Sequence, residues 1–356
     1  MTKSFATFTD IDLTKEEVLE CSYSVWSPYF PQNTFPSKIL KPVPQLFLKY
    51  LESESIKLPS DGNVTLELNS DNEYSDWEDE EDEQKGGYIS DDYVKEEITV
   101  SQFQSFHEEI IQSLDSLGGK VIPKLNWSSP KDARWIMPGN TIKCTSVNDI
   151  YLLLNASDHI VDDLESAFSA VKPIPEASEI EYELVLKEWR DVNPALEFRV
   201  FIKDDKILGI SQRDLNHYDY LESIRDELND KIQSFIYEKV IPTVGIHTIL
   251  SKYIVDVYIP RPFDKVYIID INPFSRKSDS LLFTWNELLV RDTSAIHDDD
   301  YAFRLINETN MGAFAKKAYS ESQVPLDVVG ASMDTEAMIE LAREWNNLQV
   351  SGNISD

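Results

Sequence analysis

The sequence predicts an α+β fold of two lobes with antiparallel sheets. Strand-like runs in the second half sit on either side of short polar turns, LEFRVFIKDDKILGIS around Asp204-Asp205 and YIVDVYIPRPFDKVYIIDINPF around a proline-containing turn. Helical periods stand between strand signals without forming a regular βαβ series. The 356-residue chain is 42% hydrophobic and 11% aromatic, which is enough for more than one lobe.

Residues 1–65 read as an irregular N-terminal lobe with one helix near its end, carrying Leu46, Phe47, Leu48, Tyr50 and Leu51. Residues 66–98 change character: Asp71–Glu97 holds 13 Asp/Glu against Lys85 and Lys95, so this stretch is expected to be a flexible acidic loop. Phe103, Phe106, Ile110, Ile111, Leu114 and Leu117 fall at spacings of three and four, and Gly118-Gly119 stops that helix. KVIPKLNWSSPKDARWI reads as a strand, a polar turn and a second strand, after which Ser146 starts a helix through Leu154. Residues 181–211 read as a β pair, followed by a helix with Leu221, Ile224, Leu228, Ile232, Phe235 and Ile236 on one face. The hairpin 253–274 comes next, and a tail helix over Thr335–Leu348 closes the series. The units are therefore 1–65, 66–98, 99–180, 181–319 and 320–356.

Charge narrows the function. The formal net charge is −31 and the pI about 4.4, so the surface repels phosphate backbones and no nucleic acid is expected as partner. Cys21 and Cys144 are far apart and give no disulfide framework, and the five histidines are scattered without zinc spacing. No run approaches the length of a membrane span, and the N-terminus has no apolar leader. A cytoplasmic monomer with no membrane contact is expected.

The chemistry concentrates in the last hairpin. Asp256 interrupts Ile254, Val255 and Val257, while Asp270 and Asn272 interrupt Ile268, Ile269 and Ile271. Period two places Asp270 and Asn272 on one face, and folding about residue 263 sets Asp256 opposite Asp270. Three oxygen donors on a half-buried face suit Mg²⁺; the same spacing also fits an ordinary hairpin with a wet outer face. Lys124, inside an apolar strand signal, is a candidate phosphate contact or a snorkelling side chain. The polar turn behind it offers Ser128 and Ser129, as a phosphate cover or as a plain β-turn. Lys187, Glu188 and Trp189 end a strand whose edge is able to bond an adenine, with Trp189 as wall or as core. Glu197 and Arg199 share a face, and Arg213 follows in ISQRD, as ribose and phosphate contacts or as surface ion pairs. No GxGxxG or Walker-type motif occurs.

The order of lysine, polar loop, strand edge, Glu, Arg and late Asp-x-Asn resembles the ATP-grasp plan. CSYSVWSP, PKLNWSSPKDARWI, ELVLKEW, EFRVFIKDDKILGISQRD, IIDINPF and DSLLFTWNEL together resemble the eukaryotic cell-division-cycle protein 123 family over most of the chain. That resemblance implies an ATP-grasp-like fold clamping ATP and Mg²⁺. It also implies an assembly chaperone that binds the gamma subunit of translation initiation factor 2 and promotes formation of the trimer, supporting translation initiation and cell-cycle entry. By position it implies Asp256, Asp270 and Asn272 as magnesium ligands, Lys124 as phosphate lysine, and Asn126, Trp127, Ser129, Lys131 and Ala133 in and beside a flexible phosphate cover. It further implies Lys187, Glu188 and Trp189 as adenine hinge, Glu197 as ribose contact, and Arg199 with Arg213 on phosphate. Two other readings remain open on the residues alone: an ATP-grasp carboxylate–amine ligase, for which Arg213, Arg261 and Lys265 are candidate substrate clamps, and an acidic interaction module without nucleotide.

Overall fold

The computed structural model describes residues 11–53, 58, 98–172, 180–295, 297–298 and 300–307. The acidic segment (but for Ile98), the tail 320–356 with its expected helix, and residues 173–179 lie outside them. In chain order the elements are α1 Lys15–Glu20, α2 Tyr23–Trp26, β1 Ser37–Leu40, α3 Gln45–Leu51, α4 Gln104–Ser116, β2 Val121–Lys124, α5 Val147–Asn155, α6 Asp158–Glu165 and β3 Leu184–Glu188. They continue with β4 Glu197–Lys203, β5 Lys206–Gln212, α7 Arg225–Phe235, α8 Ile241–His247, β6 Lys252–Tyr258, β7 Tyr267–Pro273, α9 Trp285–Val290 and β8 Ala302–Arg304. The strands form a three-stranded antiparallel sheet, β1-β3-β2, and a five-stranded sheet, β7-β6-β4-β5-β8, in which only β5 and β8 run parallel.

Local chemistry accounts for most boundaries. Gly118 and Gly119 have φ of +80° and +71°, the left-handed region open to glycine, and they end α4 as expected. Ser146 and Asp149 cap each other at the start of α5, satisfying two orphan N–H groups. Asp204 and Asp205, with φ of +49° and +58°, form the two-residue turn between β4 and β5, whose twist matches that of the strands. Between α7 and α8 lies a π-helical turn, Ile236–Val240. Pro242, near the start of α8, has no N–H for the carbonyl four residues back, and the wider turn absorbs that break.

Three expectations change. The N-terminal stretch holds three helices among its described residues, α1 to α3, and not one, and its strand β1 pairs with β3. The segment after WSSPKDA is not a second strand but a 3-10 turn, Asp132–Ile136. Asp132 accepts from Ser157 Oγ (2.6 Å) and the His159 amide (3.3 Å), and Ala133 is fully buried, so the segment winds against α6 instead of extending. The 181–211 stretch is not one β pair: β4 and β5 form a hairpin, whereas β3 joins β1 and β2 in the other sheet.

Each sheet packs one face on helices, and the far end of the five-stranded sheet also buries Phe201 and Ile254 of its other face against Phe283 and Trp285. Val121, Leu184, Leu186 and Leu40 pack with Phe47, Phe106, Ile110, Tyr151 and Leu154 of the helices around them. Phe198, Val200, Ile202, Tyr253, Val255 and Val257 pack on Leu228, Ile232 and Phe235 of α7. Alternation then turns Lys124, Val185 and Lys187 of the first sheet toward Arg199, Asp256 and Asp270 of the second. The charged residues thus lie where the sheets meet, and the apolar residues of the same strands turn to the helices or, at Phe201 and Ile254, to Phe283 and Trp285.

Gly209 on β5 marks the tightest approach: a Cβ there stands 2.4 Å from Cζ of Phe283, itself packed edge-to-face on Phe201. Gly209→Ala is expected to lower stability by about 1–3 kcal/mol in urea unfolding, and Phe283→Leu in the same chain to recover part of that loss; an unchanged midpoint in the single variant removes this account.

Candidate functional site

β7 is an edge strand, and its outer side is covered by the first lobe. The Ile268 amide donates to the Asn33 carbonyl (2.6 Å), Asn33 Nδ2 to the Val266 carbonyl (2.8 Å), and Lys187 Nζ to the Ile269 carbonyl (2.7 Å). The β6–β7 register shifts between Asp256 and Val257, so that Ile269 is left without a cross-strand partner, and its carbonyl is the one that Lys187 takes. Asp256 does fall opposite Asp270, the pairing that folding about residue 263 predicts.

Asp256 is the most enclosed acid of the cleft, 2% exposed. Arg199, its neighbour on β4, grips it with Nε at 2.7 Å and a second guanidinium nitrogen at 2.8 Å, and Arg213 Nε lies at 3.3 Å. Burial alone would raise its pKa, but the Arg199 and Arg213 charges outweigh that and hold it well below the usual carboxylate range. Arg199 also donates to the Asp279 carbonyl (2.7 Å), and Arg213 reaches Glu197 at 3.3 Å. Burial would lower the Arg213 pKa, yet Asp256 and Glu197 keep it raised and the group charged.

Lys124 crosses between the sheets. It is 1% exposed, donates to Asp270 Oδ2 at 2.7 Å, and hydrogen-bonds the Trp127 carbonyl. Asp270 also takes its following amide, Ile271 N, at 3.1 Å, and Asn272 lies two residues on along the same face. Lys131 enters from the loop beside Glu197, Asp256, Asp270 and Arg213. Burial, then Arg213, pushes its ammonium down to about 8; burial does the same for Lys187. Lys124, Lys131, Lys187, Arg199 and Arg213 therefore face four carboxylates, Asp163, Glu197, Asp256 and Asp270, an excess of one positive charge in a chain of net charge −31.

Other expected site residues do structural work. The Asn126 side chain is consumed in the interior, donating to the Glu181 carbonyl (3.1 Å) and accepting from the Glu183 amide (3.0 Å). Trp127 is buried and donates through its indole to the Val18 carbonyl (2.8 Å), and Ala133 is fully buried. Ser129 sits half-buried in the turn, its carbonyl accepting from the Lys131 amide at 2.7 Å. The loop is thus pinned along its length, not a loose cover. The hinge reading also changes, because β3 is the middle strand of its sheet and has no free edge. The Glu188 amide donates to the Pro36 carbonyl (2.8 Å) and the Trp189 amide to the Lys120 carbonyl (2.9 Å). Trp189 itself is half-buried, with the Lys143 ammonium 5.9 Å from its ring.

Asp163 is a residue that spacing analysis missed. Both its oxygens hold Ser128, through the amide and the hydroxyl, each at 2.8 Å. Burial pushes its pKa up to about 6, against the opposing pull of Ser128 and Lys124. The signal was available: Asp163 shares a helix face with the buried Ile160 three residues earlier, an acid where the period asks for oil. Among the described residues no three His, Cys, Asp or Glu gather as a metal site; the oxygen set here is two carboxylates and one amide.

Removing Arg199 leaves Asp256 buried with Arg213 alone. Arg199→Met is expected to cost about 3–5 kcal/mol at pH 7. A carboxylate with a depressed folded pKa contributes stability that is present above its unfolded pKa, about 4, and is lost as pH falls toward the folded value. The gap between variant and wild type should therefore narrow below about pH 4 in a pH series of urea unfolding. A gap that stays constant with pH would mean the pair is not what is lost.

The chain is similar to known proteins over most of its length. A family model, D123, matches residues 26–332. Translation initiation factor eIF2 assembly proteins from Lodderomyces elongisporus and Candida albicans are each 58% identical, over 97% and 98% of this chain and 94% and 98% of theirs. Cell division cycle protein 123 of Candida glabrata is 44% identical over 98% of this chain and 96% of its own. The solved structure of Cdc123 from Schizosaccharomyces pombe superposes with a TM-score of 0.64 at 31% identity, covering 84% of this chain and 100% of that one. With a family match that spans most of its length and relatives this similar, the chain belongs to the D123 family.

Proposed function

We propose that the protein is an ATP- and Mg²⁺-binding assembly chaperone for translation initiation factor 2. It binds the gamma subunit and promotes formation of the trimeric factor, and so supports translation initiation and cell-cycle progression; it acts in the cytoplasm as a monomer. The names of its relatives support the assembly role. The nucleotide reading rests on one observation: the excess of positive charge gathered in the cleft of a strongly acidic protein.

The residues fit the ligand. Asp256, Asp270 and Asn272 bring hard oxygen donors to one face of β6 and β7, a set that suits Mg²⁺ once the metal displaces Arg199 from Asp256 and Lys124 from Asp270, whose oxygens they hold in this structure. Bound Mg²⁺ neutralises part of the triphosphate charge and fixes its orientation. Lys131 makes no ion pair or hydrogen bond through its ammonium among the described residues and is the cation most ready for phosphate, with Lys124, Arg199 and Arg213 behind it. Glu197 accepts from ribose, and Lys187 with the ring of Trp189 lines the base side. A ligand held by both sheets favours the arrangement that brings them together, and a client that grips that arrangement is coupled to nucleotide.

Calorimetry with ATP and Mg²⁺ tests the reading. Asp270→Asn and Lys131→Met are each expected to weaken binding about tenfold, the loss of one charge-assisted contact. Wild-type affinity in both, or a wild type that binds no ATP, would end the proposal. Affinity should also fall between pH 7 and pH 9, because Lys131 loses its proton near 8 and with it the attraction for phosphate. A flat profile over that range would exclude Lys131 as a phosphate-facing cation.

A further inference from the structure

The nucleotide reading leaves one cross-lobe contact unused. Lys277 follows β7 by four residues, in a turn secured to that strand: Ser278 Oγ donates to the Pro273 carbonyl (3.1 Å), Trp285 Nε1 to the Ser278 carbonyl (3.2 Å), and Arg199 to the next carbonyl, Asp279. Its ammonium reaches the other lobe and meets three acceptors of α6 and its end: Asp162 Oδ2 at 2.8 Å, the Ser166 carbonyl at 2.8 Å and Ser166 Oγ at 3.0 Å. An ammonium has three donors, so this one is saturated. The next residue of α6, Asp163, holds Ser128, and at the other end of the helix Ser157 and His159 hold Asp132. α6 therefore grips the loop 127–133 at both ends and is itself tied to the strand carrying Asp270 and Asn272.

We infer that Lys277 is a positioning residue, a clasp that ties α6 and its loop across the cleft and sets how fast bound nucleotide leaves. The inference rests on the nucleotide reading above. The contact suits a clasp because both partners reach solvent, where an ion pair adds little to overall stability and opens readily. The loop cannot swing off the phosphates without α6, and α6 is tied to the metal strand through Lys277 alone among the ion pairs described. The lobes remain joined elsewhere through Lys124 and Lys187, so opening the clasp frees one rim and not the whole interface.

The test is release of N-methylanthraniloyl-ATP with Mg²⁺ from the full chain, followed by stopped-flow chase with unlabelled ATP. Lys277→Gln should speed release about fivefold with little change in association rate or unfolding midpoint, and Lys277→Arg should restore slow release. Rising salt should speed release from the wild type more than from the Gln variant. Without nucleotide, hydrogen exchange over 127–133 and 158–166 should quicken in the Gln variant. A wild type that binds the probe while the Gln variant releases it at the wild-type rate overturns the clasp alone. A wild type with no saturable signal overturns the nucleotide reading and the clasp with it.

Discussion

A buried lysine sets the architecture of the cleft. Lys124 lies at the end of β2 with almost no contact with water, and such a charge persists only if it is paired. Its partner is Asp270, on the edge strand of the other sheet, and the carbonyl of Trp127 takes a second N–H. One side chain thus fixes the distance between two sheets and the path of the loop that follows β2. The interface around it had to be polar. Lys187 serves the β7 bulge, and Asn33 covers the start of that strand's open edge, so the lobes meet through backbone groups that would otherwise invite another strand.

The second consequence is electrostatic. Asp256 stays ionised in the interior only because Arg199 presents both prongs of its fork and Arg213 stands behind it. The guanidinium groups are more numerous than that carboxylate needs. Lys131 and Lys187 add charge whose burial costs free energy without a full set of anions to offset it. A surplus cation there, in a chain of net charge −31, is the feature on which the proposed binding of an anion rests. The lowered lysines and the depressed Asp256 are two sides of one field: each shift records which charges stand nearest.

Around that cleft the fold divides labour by strand alternation. Phe198, Val200, Val255 and Val257 hold the five-stranded sheet to α7, while Glu197, Arg199 and Asp256 take the other face. In the smaller sheet, Leu184 and Leu186 face the helices, and Val185 and Lys187 face the cleft. A slip of one residue in either sheet exchanges oil for charge on both faces at once, so the same pattern that builds the cores guards the register of the site.

Much of this was legible in the chain. The α+β class follows from paired strand signals without βαβ order, and helix α4, the Asp204-Asp205 turn and the opposition of Asp256 to Asp270 follow from period and turn chemistry, because these are local or two-strand properties. What tertiary structure alone decided involves partners far apart in sequence. That β3 lies in the middle of its sheet, with the Glu188 and Trp189 amides already taken, depends on Pro36 and Lys120. That Asn126 serves the interior depends on Glu181 and Glu183, and that the loop after it is pinned depends on Asp163 and Val18. Sequence spacing records which side chains share a face; it carries no record of which distant carbonyl or carboxylate will be waiting there, and hydrogen-bond saturation is settled only when the chain has closed.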